Sequence, residues 1–141
     1  MEESTTTNVQ LMNLAKKMGL PLNAVVYKDL LDNEPFEDGA YILNMASSTD
    51  SNGGTHWIGL YVKYPDAYYF DSFGVVPPLE IIKYCKDNGI KKIIVSDKQI
   101  QRSQYGRCGQ YTLAFLYAMH RNRGPYLKRY QKFLNEYNIE D

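Results

Sequence analysis

The sequence predicts an α+β domain in which an antiparallel sheet packs against a buried helix, with further helices at its flanks. Three observations carry this. Tyr41–Met45, His56–Val62 and Tyr68–Phe73 are strand-like, and the turn-rich "ASSTDSNGG" and "KYPDA" between them suit antiparallel neighbours. "CGQYTLAFLYAMHRN" is apolar on nearly every face, through Tyr111, Leu113, Ala114, Phe115, Leu116, Tyr117, Ala118 and Met119, so its helix belongs in the interior. "NVQLMNLAKKMG" and "YLKRYQKFLNEYN" carry apolar residues at helical spacing and read as amphipathic flanks.

Taken in order, residues 1–7 are polar and read as a disordered tail. The first helix presents Leu11, Leu14, Ala15 and Met18 and stops at Gly19 and Pro21. In "VVYKDLLDNEPFEDG", Val25, Val26, Leu30 and Leu31 are expected to pack, and Asp32 to Asp38 to form an acidic loop. "PPLEIIKYCKDNG" starts a helix on its prolines and ends it at Asn88-Gly89, with Leu79, Ile82 and the Cys85/Lys86 position expected to face inward. "KKIIVSD" reads as a short buried strand, and Gly124-Pro125 separates the buried helix from the last one. No repeat or linker divides residues 1–141, which read as one domain.

The totals narrow the function. The 141 residues suit a single core that buries roughly two-thirds of the unfolded surface. Lys+Arg and Asp+Glu both number 16, so no whole-surface field draws the chain onto nucleic acid. Two cysteines, Cys85 and Cys108, are too few for a disulfide scaffold and suit a reducing, intracellular setting. The start "MEESTTTNVQ" does not resemble a secretory signal, and no apolar run approaches the ~20 residues of a membrane span.

The chemistry-bearing residues fall in a telling order. His56 opens one strand in "GGTHWIGLYV". Asp71, in "YYFDSFG", ends the next, and Cys108, in "RCGQY", stands where a polar loop becomes the buried helix. If those strands are antiparallel neighbours, His56 and Asp71 meet at one end of the sheet, and the helix brings the thiol to the imidazole. A thiol near pKa ~8.5 is lowered by a helix N-terminus and by a neighbouring imidazolium. A carboxylate on the far side of the ring fixes its tautomer. Gly109 keeps the approach to sulfur open, and the Cys108 N–H can face an oxyanion. A second oxyanion donor is available from Gln99, Gln101 or Gln104 in "SDKQIQRSQYGRCG"; spacing alone does not choose among them. Each residue has an ordinary structural reading by itself: a packed His at a strand start, a buried Cys, a tight turn. The ordered set is what points to nucleophilic catalysis.

"THW", "YYFDSFG" and "IQRSQYGRCGQYTLAFL" together resemble the adenovirus-protease-like and SUMO-protease-like cysteine peptidases of clan CE, over roughly Gly39 to Met119. The "HW", "DSFG" and "CGxY" forms are most similar to the maturation proteases of adenoviruses, virophages and polinton-type elements. The resemblance implies the adenain-like fold, His56 as general base and acid, Asp71 as its orienter and Cys108 as nucleophile. It implies Gln101 as the oxyanion residue, seven positions before Cys108, with Gln104 next in line. Trp57, Gln104 and Gly109 fall to the substrate channel, Trp57 shielding the imidazole. It further implies cleavage after glycine, virion precursor proteins as substrates, and a monomer acting in host cytoplasm, nucleus or virion.

Departures qualify the resemblance. The chain is short for the adenoviral type, whose enzyme is stimulated by DNA and by a peptide that reaches a cysteine. Neutral charge weakens the DNA part, and Cys85 reads as a buried structural thiol before it reads as a peptide's target. Arg107 stands where SUMO-type enzymes carry an Asp, which lowers the deSUMOylase reading, although a deubiquitinase- or deSUMOylase-type isopeptidase stays the main rival among peptidases. No metal or other cofactor is expected, since His56, Asp71, Cys85, Cys108 and His120 lack ligand-like local spacing. His120 lies twelve positions past Cys108, too far along one helix to act as its base. The basic "RNRGPYLKRYQK" reads as a solvated face, with nucleic acid as a weaker alternative. Acetyl transfer through the same triad and a non-catalytic binding module are the remaining alternatives.

Overall fold

The computed structural model describes residues 7–46, 56–96, 108–122 and 124–136, Cys108 and Glu136 by their backbone. In chain order these form α1 (Asn8–Met18), β1 (Leu22–Tyr27), a 3-10 turn (Lys28–Asn33), β2 (Gly39–Asn44), β3 (Trp57–Lys63), β4 (Asp66–Phe70), α2 (Leu79–Asp87), β5 (Lys92–Val95), α3 (Cys108–Arg121) and α4 (Tyr126–Glu136).

The strands make one sheet in the order β1-β2-β3-β4-β5. Its middle, β2-β3-β4, is antiparallel as the short links require, with Ile42 opposite Gly59 and Gly59 opposite Phe70. Both outer pairs are parallel, β1 to β2 and β4 to β5, so the sheet is mixed rather than antiparallel throughout. The reason is the connections: the 3-10 turn and α2 are crossovers, and a crossover returns the chain in the same direction.

Side chains alternate along β3 and divide the core. Ile58, Leu60 and Val62 join Tyr41, Leu43, Tyr69, Ile81, Tyr84 and Cys85 on the α2 face. Trp57 and Phe70 join Leu11, Ala15, Phe115, Leu116 and Phe133 on the face covered by α1, α3 and α4. Phe70 stacks on Phe115 at 4.7 Å and meets Phe133 edge-on at 5.5 Å, fixing both helices to β4. A 2.7 Å hydrogen bond joins Ser96 Oγ, just past β5, to the Tyr130 hydroxyl on α4.

Several expectations change. Thr7, assigned to the tail, is the N-cap of α1, exchanging hydrogen bonds with Gln10 in a capping box. Leu14 is 37% exposed, and only Leu11 and Ala15 of that stripe are fully buried. On α2 the inward residues are Ile81, Tyr84 and Cys85, while Leu79 and Ile82 face outward, 80% and 37% exposed. The helix is rotated by about one residue from its expected phase, because Tyr84 reaches back to the Glu34 and Pro35 carbonyls and Phe36 packs on its ring. No helix among the described residues is long and apolar enough to cross a membrane.

Candidate active site

His56 and Asp71 sit at one end of the sheet because β3 begins where β4 finishes. The His56 carbonyl is still held by the Met45 N–H at 2.9 Å, so its backbone belongs to the sheet although its side chain stands past the last rung. Asp71 follows the final residue of β4 and opens a tight turn. Its Oδ1 accepts the Phe73 N–H at 2.8 Å, an Asx turn, and its carbonyl accepts the Gly74 N–H at 2.8 Å. Gly74 takes φ of 76°, a left-handed conformation that glycine adopts without steric cost. "DSFG" is therefore both a turn and the device that aims the carboxylate.

That carboxylate meets the imidazole: His56 Nε2 and Asp71 Oδ1 are 2.7 Å apart. Asp71 is 1% exposed, whereas the His56 side chain keeps 23% of its surface. A buried carboxylate tolerates its charge only with donors around it, and Phe73 N–H and the imidazole N–H are two. A proton held on Nε2 by the carboxylate leaves Nδ1 as the basic nitrogen. The Phe73 ring lies against the imidazole with centroids 4.7 Å apart, tilted by 36°. Asp71 also acts on its neighbourhood: burial first, and then its negative charge, push the Tyr69 phenol well above its ordinary range. The Tyr69 hydroxyl is buried without a hydrogen-bond partner among the described residues.

Cys108 is the first residue of α3. The helix is seated on β3 at two points. Thr112 Oγ1, one turn on from Cys108, donates to the Trp57 carbonyl at 3.0 Å. Gly59 makes room for the contact: a Cβ there would stand 3.0 Å from Thr112 Cγ2 and 3.3 Å from Leu116. Cys108 is one turn, about 5 Å along the axis, before Thr112, the residue bonded to the strand that starts beside His56. The N-terminal end of α3, where the macrodipole is positive, thus lies at the end of the sheet that carries the His56–Asp71 pair.

The other expected residues divide as follows. Gly109 is buried as the second residue of α3. Trp57 is 6% exposed and packs in the core on the α3 face, which leaves it little surface for a substrate channel. Phe73, absent from the expected set, is a ring found on the imidazole; its place two residues after Asp71 in a turn is the signal in the sequence. Gln99, Gln101 and Gln104 lie outside the described residues, as does Arg107. Cys85 is fully buried in the last turn of α2, and burial pushes its thiol up to about 11. His120 is in the last turn of α3, roughly 18 Å along the axis from Cys108 at ~1.5 Å per residue.

No family model matches the sequence, and no curated protein is similar to it at a significant level. The fold does match solved structures. What they share is the fold, a mixed five-stranded sheet with flanking helices and a long helix against its centre. Two structures of the ASFV pS273R protease superpose with TM-scores of 0.59 and 0.56 at 20% and 18% identity, each over 94% of this chain and 62% of that one. AvrA, as its delL154 form with IP6 and CoA, superposes with a TM-score of 0.51 at 21% identity, over 78% of this chain and 46% of AvrA. The chain thus spans less than two-thirds of the length of these neighbours.

Proposed function

We propose that this chain is a cysteine endopeptidase. The observation that carries the reading is the 2.7 Å His56–Asp71 contact, with a buried carboxylate, at the end of the sheet to which the Thr112 bond anchors the helix headed by Cys108. The fold is shared with a protease, pS273R of ASFV, which supports peptide hydrolysis as the reaction.

In the proposed cycle, the Cys108 thiolate attacks the scissile carbonyl carbon, forming a C–S bond and an oxyanion. The Cys108 N–H and Gln101 stabilise that oxyanion, with Gln104 the alternative donor. The His56 imidazolium gives its Nδ1 proton to the departing amine as the C–N bond breaks. Water then adds to the thioester carbonyl, losing a proton to Nδ1, and the thiolate leaves with release of the acid. Asp71 holds Nε2–H throughout and stabilises the charged ring. The substrate is a polypeptide cut after glycine, as the "HW", "DSFG" and "CGxY" forms suggest, and virion precursor proteins are the substrate class proposed.

A second reading has one observation behind it, the CoA in the AvrA structure. Acyl transfer from a CoA thioester to Ser, Thr or Lys uses the same thiol, base and orienter. One experiment separates the two. The protein is incubated with quenched Gly-X peptides, with a ubiquitin-like fusion ending in glycine, and with radiolabelled acetyl-CoA. Peptide hydrolysis lost in Cys108→Ala supports the endopeptidase, cleavage confined to the fusion supports an isopeptidase, and label transferred to the protein with no hydrolysis would replace the proposal with acetyl transfer.

A further inference from the structure

Four of the large apolar side chains that stay exposed lie within eight residues of one another, immediately after the Asp71 turn. Val75 is 51% exposed, Val76 69%, Leu79 80% and Ile82 37%. Val75 is two residues from Phe73, whose ring rests on His56, so this apolar strip starts within roughly 7 Å of chain from the imidazole's aromatic neighbour. Its first part stands outside the helix: Val76 and Pro77 each precede a proline, which disfavours helix there, and Pro78 caps α2 in an extended conformation before Leu79 and Ile82 continue the strip on the helix.

The strip leads into a groove of about 470 Å³ between α2 and β5, floored by Pro77, Ile82, Ile90, Ile93 and Val95 and rimmed by Lys86, Lys91 and Lys92. β5 runs parallel to β4, with Val95 beside Tyr69 and Lys92 beside Asp66. The Val95 end of the groove therefore lies at the same end of the sheet as Asp71. The Lys91–Lys92 end lies about 10 Å further away, three residues at ~3.3 Å each. None of the three rim lysines has a carboxylate partner among the described residues, whereas Lys28 pairs with Glu80 and Lys83 with Asp87. The groove is apolar near the candidate active site and positive away from it.

We propose that this strip and groove form an exosite for the polypeptide substrate, one that takes an extended segment carrying an apolar residue followed, about three or four positions further from the cut, by acidic residues. The inference rests on the endopeptidase reading and adds a substrate class to it: acidic–apolar sequence remote from the scissile bond. Charge complementarity selects the acidic residues, and continuity with the His56–Phe73 contact orients the segment.

The test compares a short quenched Gly-X reporter with the same reporter extended by Leu-Ser-Ser-Glu-Glu, on the acyl side in one peptide and the leaving side in another, each with a Leu-Ser-Ser-Lys-Lys counterpart. On one side the glutamate extension is expected to lower KM about 10-fold with kcat unchanged. A combined Lys86→Glu, Lys91→Glu, Lys92→Glu variant should erase that gain and prefer the lysine extension. Leu79→Ser should weaken only the extended reporter. Equal KM for glutamate and lysine extensions on both sides would overturn the proposal. So would a separate Leu-Ser-Ser-Glu-Glu peptide that raises kcat on the short reporter, since that marks an activator rather than a substrate segment. If the short reporter is not cut at all, the endopeptidase reading has failed. Anisotropy of the fluorescein-labelled extension on Cys108→Ala protein then still reads the groove: the glutamate peptide must bind more tightly than the lysine peptide, and the triple reversal must invert that order.

Discussion

The two cysteines occupy opposite kinds of helix end. Cys85 is in the last turn of α2, where the macrodipole is negative, and it is fully buried among Tyr41, Leu60, Tyr69 and Ile81. Cys108 is the first residue of α3, at the positive end, on the helix that Thr112 ties to the strand starting beside His56. Burial alone lifts the Cys85 thiol to about 11, which keeps it protonated at any physiological pH. The same side chain is thus a packing group in one helix and the proposed nucleophile in the other. Position relative to dipole, solvent and base makes the difference, not the residue type.

Removing each sulfur in turn separates the two roles most widely. Cys108→Ala should reduce peptide hydrolysis about 10⁴-fold or more, since nothing else supplies the acyl acceptor. Cys85→Ala should leave kcat/KM within about 2-fold and cost ~1 kcal/mol of stability through a small cavity, read by urea denaturation. Equal losses of activity would show that the buried thiol matters to the chemistry. Next in size, Asp71→Asn should keep the turn, because its side-chain oxygen can still accept from Phe73, yet lower kcat roughly 10²–10⁴-fold by releasing the imidazole tautomer. An unchanged rate would remove Asp71 from the mechanism.

Stability against pH sharpens the same contrast. The folded state holds the Cys85 proton up to about 11, while an unfolded thiol releases it near 9. Between those values the native state binds more protons, so stability falls as pH rises, by ~1.4 kcal/mol per unit at most for this group. The stability advantage of wild type over Cys85→Ala should shrink across pH 9 to 11 and be constant below 8. A difference flat through that window would mean the thiol is not held protonated by burial.

Smaller effects probe the seat of α3. Gly59→Ala puts a methyl 3.0 Å from Thr112 Cγ2 and should cost about 1–3 kcal/mol, with kcat falling as the helix is lifted from the strand. Smallest of all, Tyr69→Phe removes a buried hydroxyl with no partner among the described residues and should leave stability unchanged or slightly higher. A loss of more than ~1 kcal/mol there would reveal a hydrogen bond to that hydroxyl.

Much of this arrangement was legible in the sequence where a pattern has a single physical cause. The all-round apolar run from Tyr111 to Met119 can only be an interior helix, and seven of its positions, Thr112 to Leu116, Ala118 and Met119, are buried. His56 before one strand and Asp71 after the next meet because antiparallel neighbours return to the same end. What stayed hidden depends on tertiary partners. Val25 and Val26 lie in β1, an outer strand whose six residues are all half-buried, so no clean alternation marks it. The phase of α2 is set by Tyr84 reaching the Glu34 and Pro35 carbonyls some fifty residues away, which local periodicity does not encode. Trp57 drew attention as the only tryptophan, yet Phe73 is the ring on the imidazole, and only the Asx turn explains why.

The proposed mechanism requires that His56, oriented by Asp71, activates Cys108 while Cys85 stays inert. The most direct measurement is intact-mass labelling with limiting iodoacetamide from pH 5 to 8, for wild type, Cys108→Ala and His56→Ala. One fast modification is expected, already strong at pH 6, absent in Cys108→Ala and slowed to the rate of an ordinary thiol in His56→Ala. Slow labelling of both cysteines, rising only above pH ~8 and indifferent to His56→Ala, would contradict it.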